Sequence, residues 1–123
     1  MKKITSKQQK SVAADVRLVS SSDTPWGKAQ SAEQVGPGII SYSTASHGGY
    51  FLYPATNAKV PSILKKSTCG ELGLKGWYEE DCDWAIIVFI FKQYFEEDHY
   101  KAALVTLERH HTDAWQKLKK ESK

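Results

Sequence analysis

The chain is poor in the residues that staple or anchor small proteins. It has two cysteines, Cys69 and Cys82, far apart and without C-x-x-C spacing. That is too few for a disulfide scaffold, and it lacks the close ligand pairs of structural zinc sites, so two reduced thiols and no metal are expected. Long apolar runs are missing too. The longest, Trp84 to Phe91, falls well short of the about 20 residues that a membrane-spanning helix needs. Met1-Lys2-Lys3 leads into a polar stretch instead of the apolar core of a secretory signal. These absences predict a cytoplasmic protein with no membrane partner. The sequence also holds no phosphate-binding loop, no G-x-G-x-x-G, no G-x-S-x-G and no H-E-x-x-H, so no cofactor is expected. Internal repeats and sustained heptads are absent as well.

What the chain does have is the composition of one ordinary domain. Its 123 residues are 41% hydrophobic and 25% charged, enough for a single core. The net charge of +3 hides an uneven distribution. Residues 1–22 carry five basic side chains against one acidic, and residues 117–123 carry four against one. The body between them has eight basic and twelve acidic side chains. A mildly acidic body thus bears two basic ends, which admit a nucleic-acid contact but serve solubility equally well. Residues 1–22, rich in Lys, Ser and Gln without a sustained apolar period, are expected to form a flexible basic arm. Residues 23–123 are expected to form one α+β domain.

Within that domain, Pro25-Trp26-Gly27 reads as a turn anchoring an indole, and Gly36-Pro37-Gly38 breaks the chain. Ile39 to Thr44 and Tyr50 to Tyr53 have strand composition, which predicts a hairpin around residues 39–53. Ala55 to Lys66 reads as a short helix interrupted by Pro61, and 67–75 as a loop. For 78–95 the apolar periodicity leaves strand and helix open. The acidic residues upstream suit the positive end of a helix dipole, and no Gly or Pro intervenes, so a buried helix is the expectation. Tyr100, Ala103, Leu104, Leu107, His111, Ala114, Trp115 and Leu118 recur at helical spacing and predict an amphipathic helix over 98–120. The expected fold is a small antiparallel sheet packed against these C-terminal helices.

Two motifs stand out as candidate chemistry. The first, Ser43-Thr44-Ala45-Ser46-His47-Gly48-Gly49-Tyr50, is a polar, glycine-bearing loop between the hairpin strands. An imidazole flanked by glycines can approach a ligand closely; it can equally serve its own turn. The second, Gly76-Trp77-Tyr78-Glu79-Glu80-Asp81-Cys82-Asp83-Trp84, packs four carboxylates beside the apolar run. Helix capping explains some of that charge, at about 0.3–1 kcal/mol per well-placed carboxylate. Four acids exceed what a cap requires, and the surplus points to a partner. The expected binding residues are Ser46, His47, Gly48, Gly49, Tyr50, Glu79, Glu80, Asp81 and Asp83. If catalysis occurs, the candidates are His47, Glu80 and Asp81. His99, His110 and His111 lack the i, i+4 spacing of a metal pair, and His111 falls on the apolar stripe, so they are read as structural.

At Thr24-Pro25-Trp26-Gly27, Ala29-Gln30-Ser31, Pro37-Gly38-Ile39, Ser43 to Tyr50 and Gly76 to Ala85, the chain resembles an uncharacterised accessory domain of phage, plasmid and other mobile-element proteins. The likeness covers roughly residues 24–95 and leaves out the lysine-rich ends. It implies a counter-defence setting, with a small protein that binds and blocks a host restriction or CRISPR-type complex. The partner so implied is a host protein or nucleoprotein complex with a basic surface, met by the acidic face. Two alternatives remain. One is a small hydrolase, metal-assisted or not, using His47 with carboxylates of 79–83; the other is a nucleic-acid binder using the basic ends.

Overall fold

A computed structural model describes residues 23–121 of the chain. The expected arm, residues 1–22, lies outside the described residues. The class is α+β, with a four-stranded antiparallel sheet and several helices. A two-residue ribbon comes first, β1 (Asp23–Thr24) with β2 (Gly27–Lys28), turning through Pro25-Trp26. The Thr24 hydroxyl closes the turn by accepting the Trp26 N–H and donating to the Gly27 carbonyl. The sheet proper runs β3 (Ser31–Gly36), β4 (Ile39–Ser43), β5 (Gly48–Leu52) and β6 (Trp77–Glu79), in that spatial order. Its central hairpin is the one expected around 39–53.

Strand period decides what each face of this sheet carries. Ile39, Leu52 and Tyr78 enter the main core, where Val60, Leu64, Ala85, Ile86, Ile87, Val88, Ala103, Leu107 and Trp115 meet them. Ile40 and Tyr42 point the other way, into an aromatic cluster with Phe51 and Trp77. The Trp77 ring lies 4.6 Å from Phe51, 5.7 Å from Tyr42 and 5.6 Å from Trp26, the last edge-on. Burial, with Tyr53 nearby, pushes the Tyr42 phenol up to about 12. Its hydroxyl has no hydrogen-bond partner among the described residues.

Between β5 and β6 the chain makes an excursion. It comprises α1 (Pro54–Asn57), α2 (Ser62–Lys66) and a run of 3₁₀ turns, Cys69–Lys75. The one helix expected over Ala55–Lys66 is two short ones, Pro54 opening the first and Pro61 directly preceding the second, and most of the loop expected over 67–75 is 3₁₀ turns. Asn57 ties the excursion down, donating to the Gly73 carbonyl at 2.9 Å and accepting the Tyr78 hydroxyl. Gly76, at φ 95°, then turns the chain into β6, a conformation that glycine adopts without strain.

The helical half departs from the expected bounds. Residues 77–79 are a strand, 80–83 a turn, and the buried helix α3 covers only Trp84–Ile90. Trp77 and Tyr78 fill opposite sheet faces, a tertiary demand that three residues cannot announce by period. A 3₁₀ turn, Lys92–Tyr94, leads to α4 (Glu97–His110) and α5 (Thr112–Glu121). The single helix expected over 98–120 is therefore two, broken at His111, whose backbone leaves the helical region at φ −127°, ψ 40°. No glycine or proline causes the break. His111 is buried and held by distant partners instead.

Candidate functional site

The acidic run divides among three tasks. Glu79, at the end of β6, is a turn clamp: its carboxylate accepts the amides of Asp81, Cys82 and Asp83 at 2.8, 2.7 and 3.1 Å. Burial raises its pKa, but these amides outweigh burial and hold the carboxyl below its ordinary value. Asp83 turns inward and is 3% exposed. Its Oδ2 accepts the Cys69 amide at 2.9 Å, and its Oδ1 lies 3.3 Å from His111 Nε2. The Cys82 carbonyl is also 3.3 Å from that nitrogen, so Nε2 faces two acceptors and carries a proton. His111 Nδ1 sits 2.9 Å from the Ser67 hydroxyl. Asp83 stands at the N-cap of α3 but makes no side-chain cap bond. Expected as a ligand-facing acid, it is instead the buried centre of a cross-link between three segments.

Glu80 and Asp81 remain exposed. Glu80 Oε1 is 4.0 Å from His47 Nδ1, with both side chains about half exposed. The two motifs therefore meet twice: through strand pairing, with Gly49 opposite Glu79, Tyr50 opposite Tyr78 and the Glu80 amide donating to the Gly48 carbonyl at 2.9 Å, and through this one side-chain pair. The His47 loop is rigid for local reasons. Thr44 Oγ1 donates to the His47 carbonyl at 2.6 Å and accepts the His47 amide, while the Thr44 amide donates to the same carbonyl. Its glycines serve packing more than ligand approach. A Cβ on Gly49 would lie 2.5 Å from the Trp26 ring and would collide with the Tyr78 carbonyl. Gly48 is buried against the Tyr42 carbonyl and leaves room for Glu80, whose Oε2 is 3.3 Å from where a Cβ would stand. Ser46 is exposed on the loop.

A groove of about 390 Å³ opens beside this pair, within the size range of ligand sites. Ser41, Ser43 and Tyr50 line it from the sheet, Glu80 from the turn, and Trp84 and His99 from the helices. The Trp84 and His99 rings stack at 5.0 Å. Burial, then Glu33, raises the Tyr50 phenol. Sequence reasoning found Tyr50 and Glu80 but missed Ser41, Trp84 and His99. Ser41 and Ser43 were readable as the polar alternation within β4, whereas Trp84 and His99 meet only through helix packing.

Other candidate chemistry is spread out. Among the described residues no group of three or more His, Cys, Asp or Glu side chains stands together as metal ligands. Cys69 is exposed and Cys82 half-buried, both free thiols. Burial, then the charges of Glu79, Asp83 and Asp81 and nearby Cys69, pushes the Cys82 thiol up, which disfavours the reactive thiolate. At the basic C-terminal end Lys119 is engaged, 3.4 Å from Glu108 and over the Trp115 ring. No helix among the described residues is long and apolar enough to cross a membrane.

The fold and the groove define a small α+β domain with an acidic, aromatic-lined cleft at one end of its sheet. The chain belongs to the DUF7007 family, a domain of unknown function, which it matches over residues 19–123. This match extends beyond the expected 24–95 to include the C-terminal helices and the lysine-rich tail. No curated protein and no solved structure matches the chain.

Proposed function

We propose that this domain is a protein-binding module, and that the surface it recognises is basic. The observation that carries the reading is the Glu80 carboxylate, which lines a groove and accepts no hydrogen bond from a described residue. A carboxylate beside aromatic rings and hydroxyls favours a cationic group over an anionic one. The excess of acids over bases in residues 23–116 supports the same sign of partner through longer-range attraction. The resemblance to mobile-element accessory domains supplies the setting: a phage- or plasmid-borne protein that blocks a host restriction or CRISPR-type complex, whose nucleic-acid-binding surfaces are rich in Lys and Arg. Affinity capture from host lysate with the wild-type chain and Glu80→Lys tests this. The wild type is expected to recover a nuclease or DNA-bound complex whose cleavage activity it inhibits, and the charge reversal to lose it. A wild-type capture that holds no such complex overturns the counter-defence role.

A small hydrolase is the second reading, favoured by the 4.0 Å separation of His47 and Glu80, which one water can bridge. Against it, the groove serine nearest in sequence to His47, Ser43, pairs its hydroxyl with Ser31. Turnover of ester or phosphoester substrates that disappears in His47→Ala would establish it over the binding module.

A further inference from the structure

We infer that the groove receives an arginine side chain presented by the partner, its guanidinium seated between Glu80 and the aromatic wall; this rests on the basic-partner reading above. Sheet register sets out the site. Glu33, Ser41 and Tyr50 are neighbours in one cross-strand row, and Ser31, Ser43 and Gly48 form the next. Because Gly48 has no side chain, the Glu80 carboxylate can lie within 3.3 Å of its Cβ position, half exposed and lining the groove. At 4.0 Å, His47 Nδ1 is beyond hydrogen-bond distance, so among the described residues no side chain donates to the Glu80 carboxylate and its lone pairs face an incoming donor.

The surroundings choose between cations. An ammonium is a compact, strongly hydrated charge that gains little from a ring-lined slot. A guanidinium is flat, weakly hydrated and carries five donors in one plane. It can stack against the rings of Tyr50, Trp84 or His99 while its edge forks onto Glu80, leaving donors for the Ser41 and Ser43 hydroxyl oxygens. Glu33, in the row of Ser41, adds negative potential at the far end. The volume of about 390 Å³ leaves space for the flanking backbone of a presented residue.

The test is an amide-resolved NMR titration with acetyl-Gly-Arg-Gly-amide and its lysine twin. The arginine peptide is expected to shift the amides of Ser41, Ser43, Glu80 and His99. The lysine twin is expected to bind at least about fivefold more weakly, since it cannot stack or fork. Glu80→Gln, whose exposed side chain leaves the fold intact, is expected to weaken the arginine peptide about tenfold, and Glu33→Gln about twofold. Equal binding of both peptides at these residues overturns guanidinium selectivity and leaves the basic-partner reading standing. Groove amides that respond to neither peptide overturn both.

Discussion

Two histidine–carboxylate pairs draw on the same acidic run, and they could hardly be more different. Glu80 meets His47 at 4.0 Å with 50% and 55% of the side chains exposed. Asp83, three positions on, meets His111 at 3.3 Å with 4% and 2% exposed. Water screens the first pair, so its attraction is worth at most about 1 kcal/mol and both groups stay available. The second has lost its water and must be satisfied within the protein, which it is through Cys69, the Cys82 carbonyl and Ser67. An imidazole and a carboxylate thus make an exposed pair beside the groove at one position and a structural cross-link at the other. Burial and the number of remaining partners decide which.

The contrast is broken most severely at the buried pair. His111→Ala leaves the Asp83 carboxylate buried with one partner fewer, and is expected to cost about 3–5 kcal/mol. That is a large share of the stability of a small domain. Asp83→Ala should fall in the same range, because it also strands the Cys69 amide. Urea unfolding of both single variants and the double variant checks this, with the double losing less than the sum. Single-variant losses below about 1 kcal/mol would mean that the pair is not the cross-link described here.

A middle-sized effect belongs to Glu79, which holds the turn between the two pairs. Glu79→Ala removes the acceptor of three amides and is expected to cost about 1–3 kcal/mol. The pH dependence follows from its lowered pKa. The unfolded carboxyl takes up its proton near the ordinary value of 4.5, while the folded one resists to lower pH. Its contribution is therefore complete above pH 4.5 and fades as pH falls through the folded value. Acid titration of unfolding free energy in wild type and Glu79→Gln should show a smaller loss below pH 4.5 in the variant; parallel curves would remove Glu79 from the account.

How much of this was legible in the sequence follows from the range of the forces involved. The β4–β5 hairpin could be read because its residues have the β-branched and aromatic composition of strands and glycine and proline bound it. The α+β class followed from that hairpin and the C-terminal helical spacing. The strand at Trp77–Glu79 could not be read, because its pairing with Gly49, Tyr50 and Phe51 spans the whole excursion from Pro54 to Gly76. The break at His111 left one local trace, Thr112-Asp113, residues suited to starting a helix. At the site, His47 and Glu80 were found together as candidates from polar, glycine-rich context. Assigning Asp83 to the same surface failed because neighbours in sequence point in different directions once β6 gives way to a turn. His99 was set aside by metal spacing, a criterion that ring stacking against Trp84 does not obey.

The smallest effect sharpens the contrast most. His47→Ala and Glu80→Gln are expected to change unfolding free energy by less than about 0.5 kcal/mol each, since both side chains are half exposed and the pair is long. The loop keeps its shape without the imidazole, because Thr44 makes its hydrogen bonds to the His47 backbone and not to the ring. Unfolding midpoints should therefore coincide with wild type at low and at high salt, while the response of the groove to cationic peptides changes in Glu80→Gln. A loss above about 1 kcal/mol in either variant would put the exposed pair in the same structural role as Asp83 and His111. An unchanged midpoint with altered peptide binding separates the two roles that one acidic run supplies.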